Sequence, residues 1–159
     1  MDRLYRFSPI TSKAGLLEAV MYTANKSTEL SKKITNNQYP IASLTIFSHY
    51  PNEFEELKKF ILELGNLHTE NNGPFVKLSE PIQLSNVKLD LLRIRKPDPY
   101  RMQVGCNDFS VPDYPEFKER YLKSTSSNLR LIERPEYEMI ELFDPDFDVL
   151  AYVLSKQLV

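Results

Sequence analysis

Leu44-Thr45-Ile46-Phe47-Ser48 is the stretch that decides the fold, because a similar stretch, Cys106-Asn107-Asp108-Phe109-Ser110, follows about sixty residues later. Both stretches are strand-like, and each leads through a proline into a helix-like segment. Phe47-Ser48 matches Phe109-Ser110, and Glu53-Phe54 in the first helical segment matches Glu116-Phe117 in the second. Two or three strand-like segments follow each helix, so the chain is predicted to use a β-α-β-β-β unit twice.

Length, composition and charge describe one ordinary soluble domain. The 159 residues are 42% hydrophobic and 26% charged, and the formal net charge is −2. A chain so close to neutral is not expected to hold nucleic-acid backbones. No apolar run reaches the ~20 residues that span a bilayer, and residues 1–10 lack the apolar core of a signal peptide. The single Cys106 allows no internal disulfide. We therefore expect a cytoplasmic protein without a nucleic-acid or membrane partner.

Residues 1–40 are predicted to form a helical extension before the repeats. Ser12 or Thr11 can cap a helix. The apolar residues behind the cap recur at three- and four-residue spacing: Leu16, Leu17, Val20, Met21 and Ala24. Such a helix can cover one face or edge of the sheet. It can also serve as the arm of a homodimer, and the sequence leaves both interpretations open.

The two repeats are expected to make a single domain at 41–159, with modules at 41–100 and 101–159. In the first module Asn52, with Glu55 three residues later, predicts the start of a helix that ends at Gly65. In the second module Asp113 is the predicted cap. The remaining strands are predicted near 75–78 and 87–95 in the first module, and near 129–132, 137–143 and 148–154 in the second.

A tandem β-α-β-β-β pair resembles the vicinal oxygen chelate superfamily, which includes the glyoxalase and bleomycin-resistance proteins. The segment from Phe143 to Val149 looks like the aromatic-x-Asp-Pro-Asp turn before the last strand of such a module. The segment from Val104 to Val111 looks like its Gly-His-x-x-Phe-x-Val opening strand. The resemblance implies an α+β fold in which two tandem βαβββ modules form one mixed, curved sheet. Two ferredoxin-like halves are the main rival fold.

The resemblance also implies where a metal would be bound. Metal-dependent members carry one ligand at the start of the first strand and one in the last strand of each module. In this sequence those positions fall near Leu44, Leu89, Cys106 and Ala151. A divalent ion needs three or four donor side chains, and leucine and alanine supply none. A shift of one residue adds only Asp90 and Asn107. We therefore expect a divergent member without the metal ligands and without a cofactor.

Three arginines surround the Pro-Asp-Pro connection between the modules: Arg93, Arg95 and Arg101. Because strand side chains alternate, one face of the strand before that connection carries Leu89, Leu91, Arg93 and Arg95. The resemblance makes this face the inner one. An arginine there can grip a carboxylate or phosphate through two parallel hydrogen bonds. The structural alternative is an ion pair with an acidic neighbour: Asp98, Asp108 or Glu138.

The opening strand of the second module places Cys106, Asp108 and Ser110 on the inner face if Phe109 faces the helices. A buried carboxylate is costly unless it meets an arginine, water or a ligand, so Asp108 is the candidate general base. Cys106 is expected to be buried and inert, because a nucleophilic cysteine usually needs a base such as histidine nearby. The acidic residues near the C-terminus are expected on a solvated strand face: Glu133, Glu136, Glu138 and Glu141.

These residues predict a metal-independent protein that binds a small, mostly apolar organic molecule, and the arginines allow that molecule to be an anion. The predicted ligand-binding residues are Leu44, Leu89, Leu91, Arg93, Arg95, Cys106, Asp108 and Ser110. Ile46 and Ala151 are expected on the same inner surface. One alternative is a lyase, an isomerase or a metal-dependent enzyme of the same fold. Another is a dimeric interaction protein or ferredoxin-like regulatory protein that has no small-molecule site.

Overall fold

The structure, a computed structural model, describes residues 4–85, 87–123 and 128–156. Within these ranges the helices are α1 (Lys13–Thr35), α2 (Pro51–Leu64) and α3 (Tyr114–Leu122). The strands are β1 (Ile41–Phe47), β2 (Gly65–Glu70), β3 (Pro74–Gln83), β4 (Lys88–Arg95), β5 (Gly105–Phe109), β6 (Leu129–Glu133), β7 (Glu138–Leu142) and β8 (Leu150–Leu154). After α1 the elements follow the order β-α-β-β-β twice.

These strands belong to one sheet, in the order β2-β3-β4-β1-β5-β8-β7-β6. β1 pairs with β4 and β5 pairs with β8 in parallel, and the other neighbours are antiparallel. The pair β1–β5 joins the two halves, and Gly105 permits its close approach, because a Cβ there would lie 2.3 Å from the Thr45 carbonyl oxygen. The predicted fold class is confirmed: the protein is α+β, with a mixed, curved, open sheet and an N-terminal helix, consistent with two βαβββ modules of the glyoxalase-like kind.

One face of the sheet carries the helices and most of the hydrophobic core. α1 begins at Ser12, one of the two predicted caps, whose hydroxyl accepts a hydrogen bond from the Gly15 N–H at 3.0 Å. α1 packs on β1, β5 and β8, and α2 packs on β2, β3 and β4. The strand residues buried in this core include Leu44, Ile46, Leu92, Ile94, Phe109 and Val153. Removal of this apolar surface from water is the main force that holds the helices on the sheet.

α2 and α3 begin differently, although both follow the repeated strand. Asp113 is the N-cap of α3, as predicted, and its carboxylate accepts a hydrogen bond from the Glu116 N–H at 3.1 Å. The prediction that Asn52 starts α2 is wrong: Tyr50 is the N-cap, without a side-chain cap bond, and Pro51 takes the first helical position. Proline fits there because the N–H that it lacks would have no partner within the helix.

The carboxylate of Glu53 ties the start of α2 to the N-terminal segment. It is buried and accepts hydrogen bonds from the main-chain N–H groups of His49 and Ile10, both at 2.6 Å. Ser8 Oγ lies 2.7 Å from His49 Nδ1, and Tyr5 stacks on the His49 ring with centroids 3.9 Å apart. We call these residues, Tyr5, Ser8, Ile10, His49 and Glu53, the N-terminal clamp.

The first module contains one strand that the sequence did not predict. β2 follows α2 without a loop and forms an edge of the sheet, and its side chains are mostly exposed. β3 continues past Pro81 to Gln83, with a register shift between its two pairings with β4. Because β2 and β3 are both present, the open face of the sheet extends as far as the turn at 71–73, which borders the candidate site.

Candidate functional site

The concave face of the sheet, opposite the helices, holds a cavity of about 650 Å³. A volume of this size is typical of small-molecule sites. Side chains from the central strands form its floor, and the β2–β3 and β6–β7 turns lie at its two ends. The lining residues are Thr45, Phe47, Thr69, Asn71, Asn72, Arg93, Arg95, Arg101, Cys106, Asp108, Ile132, Arg134, Pro135, Glu136, Tyr137, Met139, Tyr152 and Leu154.

The strand register arranges the polar residues of the floor in two neighbouring rows. In the first row, Thr45 on β1 lies between Arg93 on β4 and Cys106 on β5. In the second row, Asp108 on β5 lies between Ser43 on β1 and Tyr152 on β8. Side chains two residues apart on a strand share a face, so both rows project from the concave side.

Of the three cavity arginines predicted from the sequence, Arg93 is the one that makes no ion pair among the described residues. No ion pair to Arg93 is found within the described ranges, and its Nε is buried without a hydrogen-bond partner there. Its guanidinium carbon lies 4.5 Å from the centroid of the Phe75 ring, a cation–π contact between neighbours on β3 and β4. The ring therefore supports Arg93 from one side but supplies no hydrogen-bond acceptor.

The other two predicted arginines have carboxylate partners. Arg95 Nη2 lies 3.4 Å from Asp98 Oδ2, and the Arg95 guanidinium carbon lies 5.2 Å from the centroid of the Phe47 ring. Arg101 Nη1 lies 3.0 Å from an oxygen of Glu141. Of the structural alternatives considered for the arginines, the Arg95–Asp98 pair is present. Arg101 also has a structural role, but its partner is a residue that the sequence did not suggest.

Asp108 is buried and lines the cavity beside these arginines. Its carboxylate accepts a hydrogen bond from the Ser43 hydroxyl at 2.7 Å. Burial raises the pKa of Asp108, and both the hydrogen bond from Ser43 and the positive charge of Arg93 oppose that rise. A carboxylate whose pKa is raised accepts a proton more readily than an exposed one.

Cys106 lies in the floor of the cavity, and the structure gives it no sign of nucleophilic activation. Burial raises the pKa of its thiol well above the ordinary value, and the negative charge of Asp108 raises this pKa further. Arg95 and Arg93 oppose the shift, but their contributions are smaller. The thiol is therefore protonated at neutral pH, whereas a nucleophilic cysteine requires the thiolate.

Glu141 was expected on a solvated strand face, and this expectation is wrong. Its carboxylate is buried, with Arg101 and Arg130 at 3.0 and 2.9 Å and the Tyr152 hydroxyl donating to it at 2.6 Å. These partners come from three separate segments of the chain. A buried carboxylate with this many partners fixes the second-module side of the floor.

A small apolar cluster, separate from the main core, covers that side of the floor. Its buried members are Phe47, Cys106, Leu150 and Tyr152, and its partly buried members are Ile132, Met139 and Phe143. We call it the floor cluster. Ile132 and Met139 also line the cavity, so apolar surface on β6 and β7 is open to whatever occupies the cavity.

The structure brings together four of the predicted ligand-binding residues and places the other four elsewhere. Arg93, Arg95, Cys106 and Asp108 all line the cavity. The residues that do not line it are Leu44, Leu89, Leu91 and Ser110. Leu44 and Leu89 are buried in the main core, and Ser110 lies past the end of β5 beside a smaller cavity of about 320 Å³. A ligand-binding role for any of the eight stays a prediction.

The placement of Leu44 and Ala151 on the inner surface is wrong by one residue in each strand. Leu44, Ile46 and Ala151 pack in the helix-covered core, so their neighbours Thr45, Phe47 and Tyr152 project into the cavity. The residues of β8 are largely apolar on both faces, so periodicity alone does not choose its inner side. On β1, the polar Ser43 and Thr45 alternate with Leu44 and Ile46, and this alternation could have found the register. Asp108 is a second signal, because a carboxylate rarely faces a helix-covered core.

The described ranges contain neither a cluster of metal ligands nor a membrane-spanning helix. No three His, Cys, Asp or Glu side chains lie together in a way that could hold a metal ion. In the same ranges, every helix is too short or too polar to cross a bilayer.

Comparisons with known proteins give structural likeness at low sequence identity. No protein-family model and no curated protein matches the chain. Among solved structures, it is similar to Protein EC4020, from structural genomics, with a TM-score of 0.68 and 15% identity over 99% of this chain and 93% of that chain. At this identity, the likeness shows a shared fold. The chain also matches a glyoxalase/bleomycin resistance protein/dioxygenase superfamily member from Vibrio splendidus 12B01, with a TM-score of 0.46 and 11% identity over 70% of this chain and 95% of that chain.

Proposed function

We propose that this protein binds a small, mostly apolar organic anion in the concave cavity, and that Arg93 holds the anionic group. The observation that carries the proposal is the state of Arg93, which lines the cavity with a buried Nε that lacks a partner among the described residues. A buried donor without an acceptor is costly. A carboxylate can accept two parallel hydrogen bonds from a guanidinium and supplies the missing charge.

Arg93→Met tests this anchor, because it keeps much of the apolar stem and removes the guanidinium. Wild-type protein should be stabilised against heat by small carboxylates with an apolar tail, and less by the matching amides. The substitution should weaken carboxylate binding by about 10- to 100-fold, since hydrogen bonds to charged groups contribute about 1.5–3 kcal/mol. The exposed Arg120 on α3 provides the matched control, Arg120→Met. Equal carboxylate affinities for Arg93→Met and the wild type, measured by calorimetry, would contradict the proposal.

We also propose that the protein is a divergent, metal-independent member of the vicinal oxygen chelate superfamily. The sequence motifs and the glyoxalase-like arrangement of the modules support the superfamily. The donor set supports metal independence: the cavity-facing residues of the four central strands include Thr45, Arg93, Cys106, Asp108 and Tyr152, among which Asp108 is the one carboxylate. The cationic Arg93 would also repel a divalent ion. Elemental analysis of the purified protein should find no stoichiometric metal, and EDTA should leave the melting temperature unchanged. One equivalent of tightly held zinc, iron or manganese would overturn this proposal.

The position of Asp108 favours a second candidate function, an isomerase or lyase. Asp108 lines the same cavity as Arg93, and burial raises its pKa. In such an enzyme Asp108 would take a proton from a ligand carbon next to the carboxylate that Arg93 holds. Incubation in heavy water with a carboxylate that binds should then place deuterium on that carbon. Asp108→Asn should abolish the exchange and leave binding measurable. A bound ligand that gains no deuterium from the wild type would argue for a binding protein without this chemistry.

A further inference from the structure

We propose that the ligand lies across the strands in one fixed orientation, with its anionic head over β4 and β1 and an aromatic or aliphatic tail over the part of the floor cluster that β8, β7 and β6 contribute. This inference rests on the proposed function, because it assigns the two ends of the molecule that Arg93 is proposed to hold. It narrows the ligand to an amphipathic carboxylic acid whose charged group stands at one end.

Polar side chains are concentrated at the first-module end of the cavity. The residues that line this end are Thr45, Thr69, Asn71, Asn72, Arg93 and Arg95. The charge of Arg95 is balanced by Asp98 at 3.4 Å, whereas that of Arg93 has no such partner in the described ranges. An anionic group is therefore stabilised most strongly at this end, where hydrogen-bonding side chains also surround it.

The second-module end of the cavity presents mainly apolar side chains from its strands. Ile132, Tyr137, Met139, Tyr152 and Leu154 line it. The charge of Arg101 is already balanced there, because Glu141 lies 3.0 Å away. Arg134 and Glu136 are exposed and lie in the β6–β7 turn, outside the strands that carry the floor cluster. Apolar surface that lines a cavity gains free energy when a ligand tail removes it from water.

The spacing of the strands determines how long the ligand must be. β4 and β8 are separated by three strand spacings in the order β4-β1-β5-β8, which is about 14 Å between main chains. The Arg93 side chain bridges part of this distance. A carboxylate joined by two or three methylenes to an aromatic ring spans much of the rest, so the ring would lie over Tyr152 and Met139.

A series of acids with increasing tail length tests the orientation: phenylacetate, 3-phenylpropionate and 4-phenylbutyrate. For wild-type protein, each added methylene should tighten binding by about three- to fourfold, the value expected for a fully buried CH₂. Met139→Gln keeps the length of the side chain but makes the floor cluster polar, and it should reduce this gain to less than twofold per methylene. Arg93→Met should weaken all three acids by a similar factor and keep the gain per methylene.

Met21→Gln is the matched control, because Met21 is exposed on α1 and does not line the cavity. Ile132→Thr provides a second test of the floor cluster if Met139→Gln does not fold. It should likewise reduce the gain in affinity per added methylene. If Met139→Gln and Ile132→Thr both keep the wild-type increase in affinity per methylene, the proposed orientation is overturned and the anion anchor is left intact. If none of the acids binds the wild type, the anchor itself fails. If they bind without any gain from longer tails, only the orientation fails.

Discussion

The starts of α2 and α3 occupy matching places in the two modules, but they are stabilised in different ways. α3 uses a local cap, in which Asp113 accepts a hydrogen bond from the N–H of Glu116, three residues later. α2 has no side-chain cap at Tyr50, and Glu53 instead reaches out of the helix to the N–H groups of His49 and Ile10.

The difference shows that a repeat in sequence does not fix the contacts that stabilise each copy. In the first module, residues 5–10 pack against the start of α2, and the N-terminal clamp uses that segment. Glu53 and Glu116 match in the sequence, yet Glu53 is buried and Glu116 is exposed. The start of α2 should therefore depend on long-range contacts, and the start of α3 on a local hydrogen bond.

The largest loss of stability is expected when the N-terminal clamp loses the carboxylate of Glu53. Glu53→Ala leaves two main-chain N–H groups without their acceptor, each costing about 1–3 kcal/mol, so the free energy of unfolding should fall by about 3 kcal/mol. Chemical denaturation provides the measurement. The control is Glu55→Ala, an exposed position of the same helix, which should change little. Similar losses for both substitutions would show that Glu53 acts only through helix propensity.

The local cap of α3 should contribute less. Asp113→Ala removes the acceptor for the Glu116 N–H and should lower the free energy of unfolding by about 1 kcal/mol. Asp113→Asn keeps a capping oxygen and should retain most of the stability. A melting curve for Asp113→Ala that overlays the wild type would mean that the cap contributes nothing in solution.

A smaller effect should appear when the pH is lowered, because the clamp contains His49. Burial lowers the pKa of His49 below its ordinary value of 6.5, against the opposing effects of the Glu53 charge and of main-chain groups of Gln103 and Arg101. Below about pH 6.5, His49 therefore binds a proton more readily in the unfolded chain than in the folded protein. Stability that is present above about pH 6.5 should be lost as the pH falls. Exposure of part of the ring keeps this effect modest.

The comparison that isolates His49 is between two histidine variants. His49→Gln should lose less stability than the wild type between about pH 7.5 and about pH 5.5. His68→Gln, at an exposed position of β2, should follow the wild type over the same range. If the two variants respond alike, the acid sensitivity does not come from the clamp.

The smallest effect is expected at Asn52, where the sequence predicts a cap and the structure shows none. Asn52 is exposed and lies inside the first turn of α2. Asn52→Ala should change the free energy of unfolding by less than about 0.5 kcal/mol. A loss near 1 kcal/mol in thermal or chemical unfolding would support the predicted helix start and contradict the structural one.

The order of elements could be predicted because local signals mark it. Ser12 and Asp113 cap their helices as expected, and the strands of the second module lie where strand-forming residues alternate with turns. β2 was missed because it is an edge strand with exposed side chains, and such a strand lacks the alternation that a half-buried one shows.

The candidate site was predicted only in part. It depends on which face of each strand points into the cavity and on contacts between residues that are distant in the sequence. Arg93 and Asp108 were recognised because charged residues in apolar strands are unusual. Thr45 was missed because the resemblance assigned Leu44 to the inner face, although the polar Ser43 and Thr45 alternate with Leu44 and Ile46 along β1. The partner of Arg101 is Glu141, forty positions along the chain, and a contact at that separation leaves no local signal in the sequence.

α1 lies over strands of both modules, so the folding of one module should be coupled to the folding of the other. It packs on β1 from the first module and on β5 and β8 from the second, so neither module has a complete hydrophobic core without it. Ser27 extends the connection by donating a hydrogen bond to the carbonyl of Leu150 at 2.8 Å. The tandem architecture should therefore behave as one cooperative unit, in which heat melts both halves in a single transition.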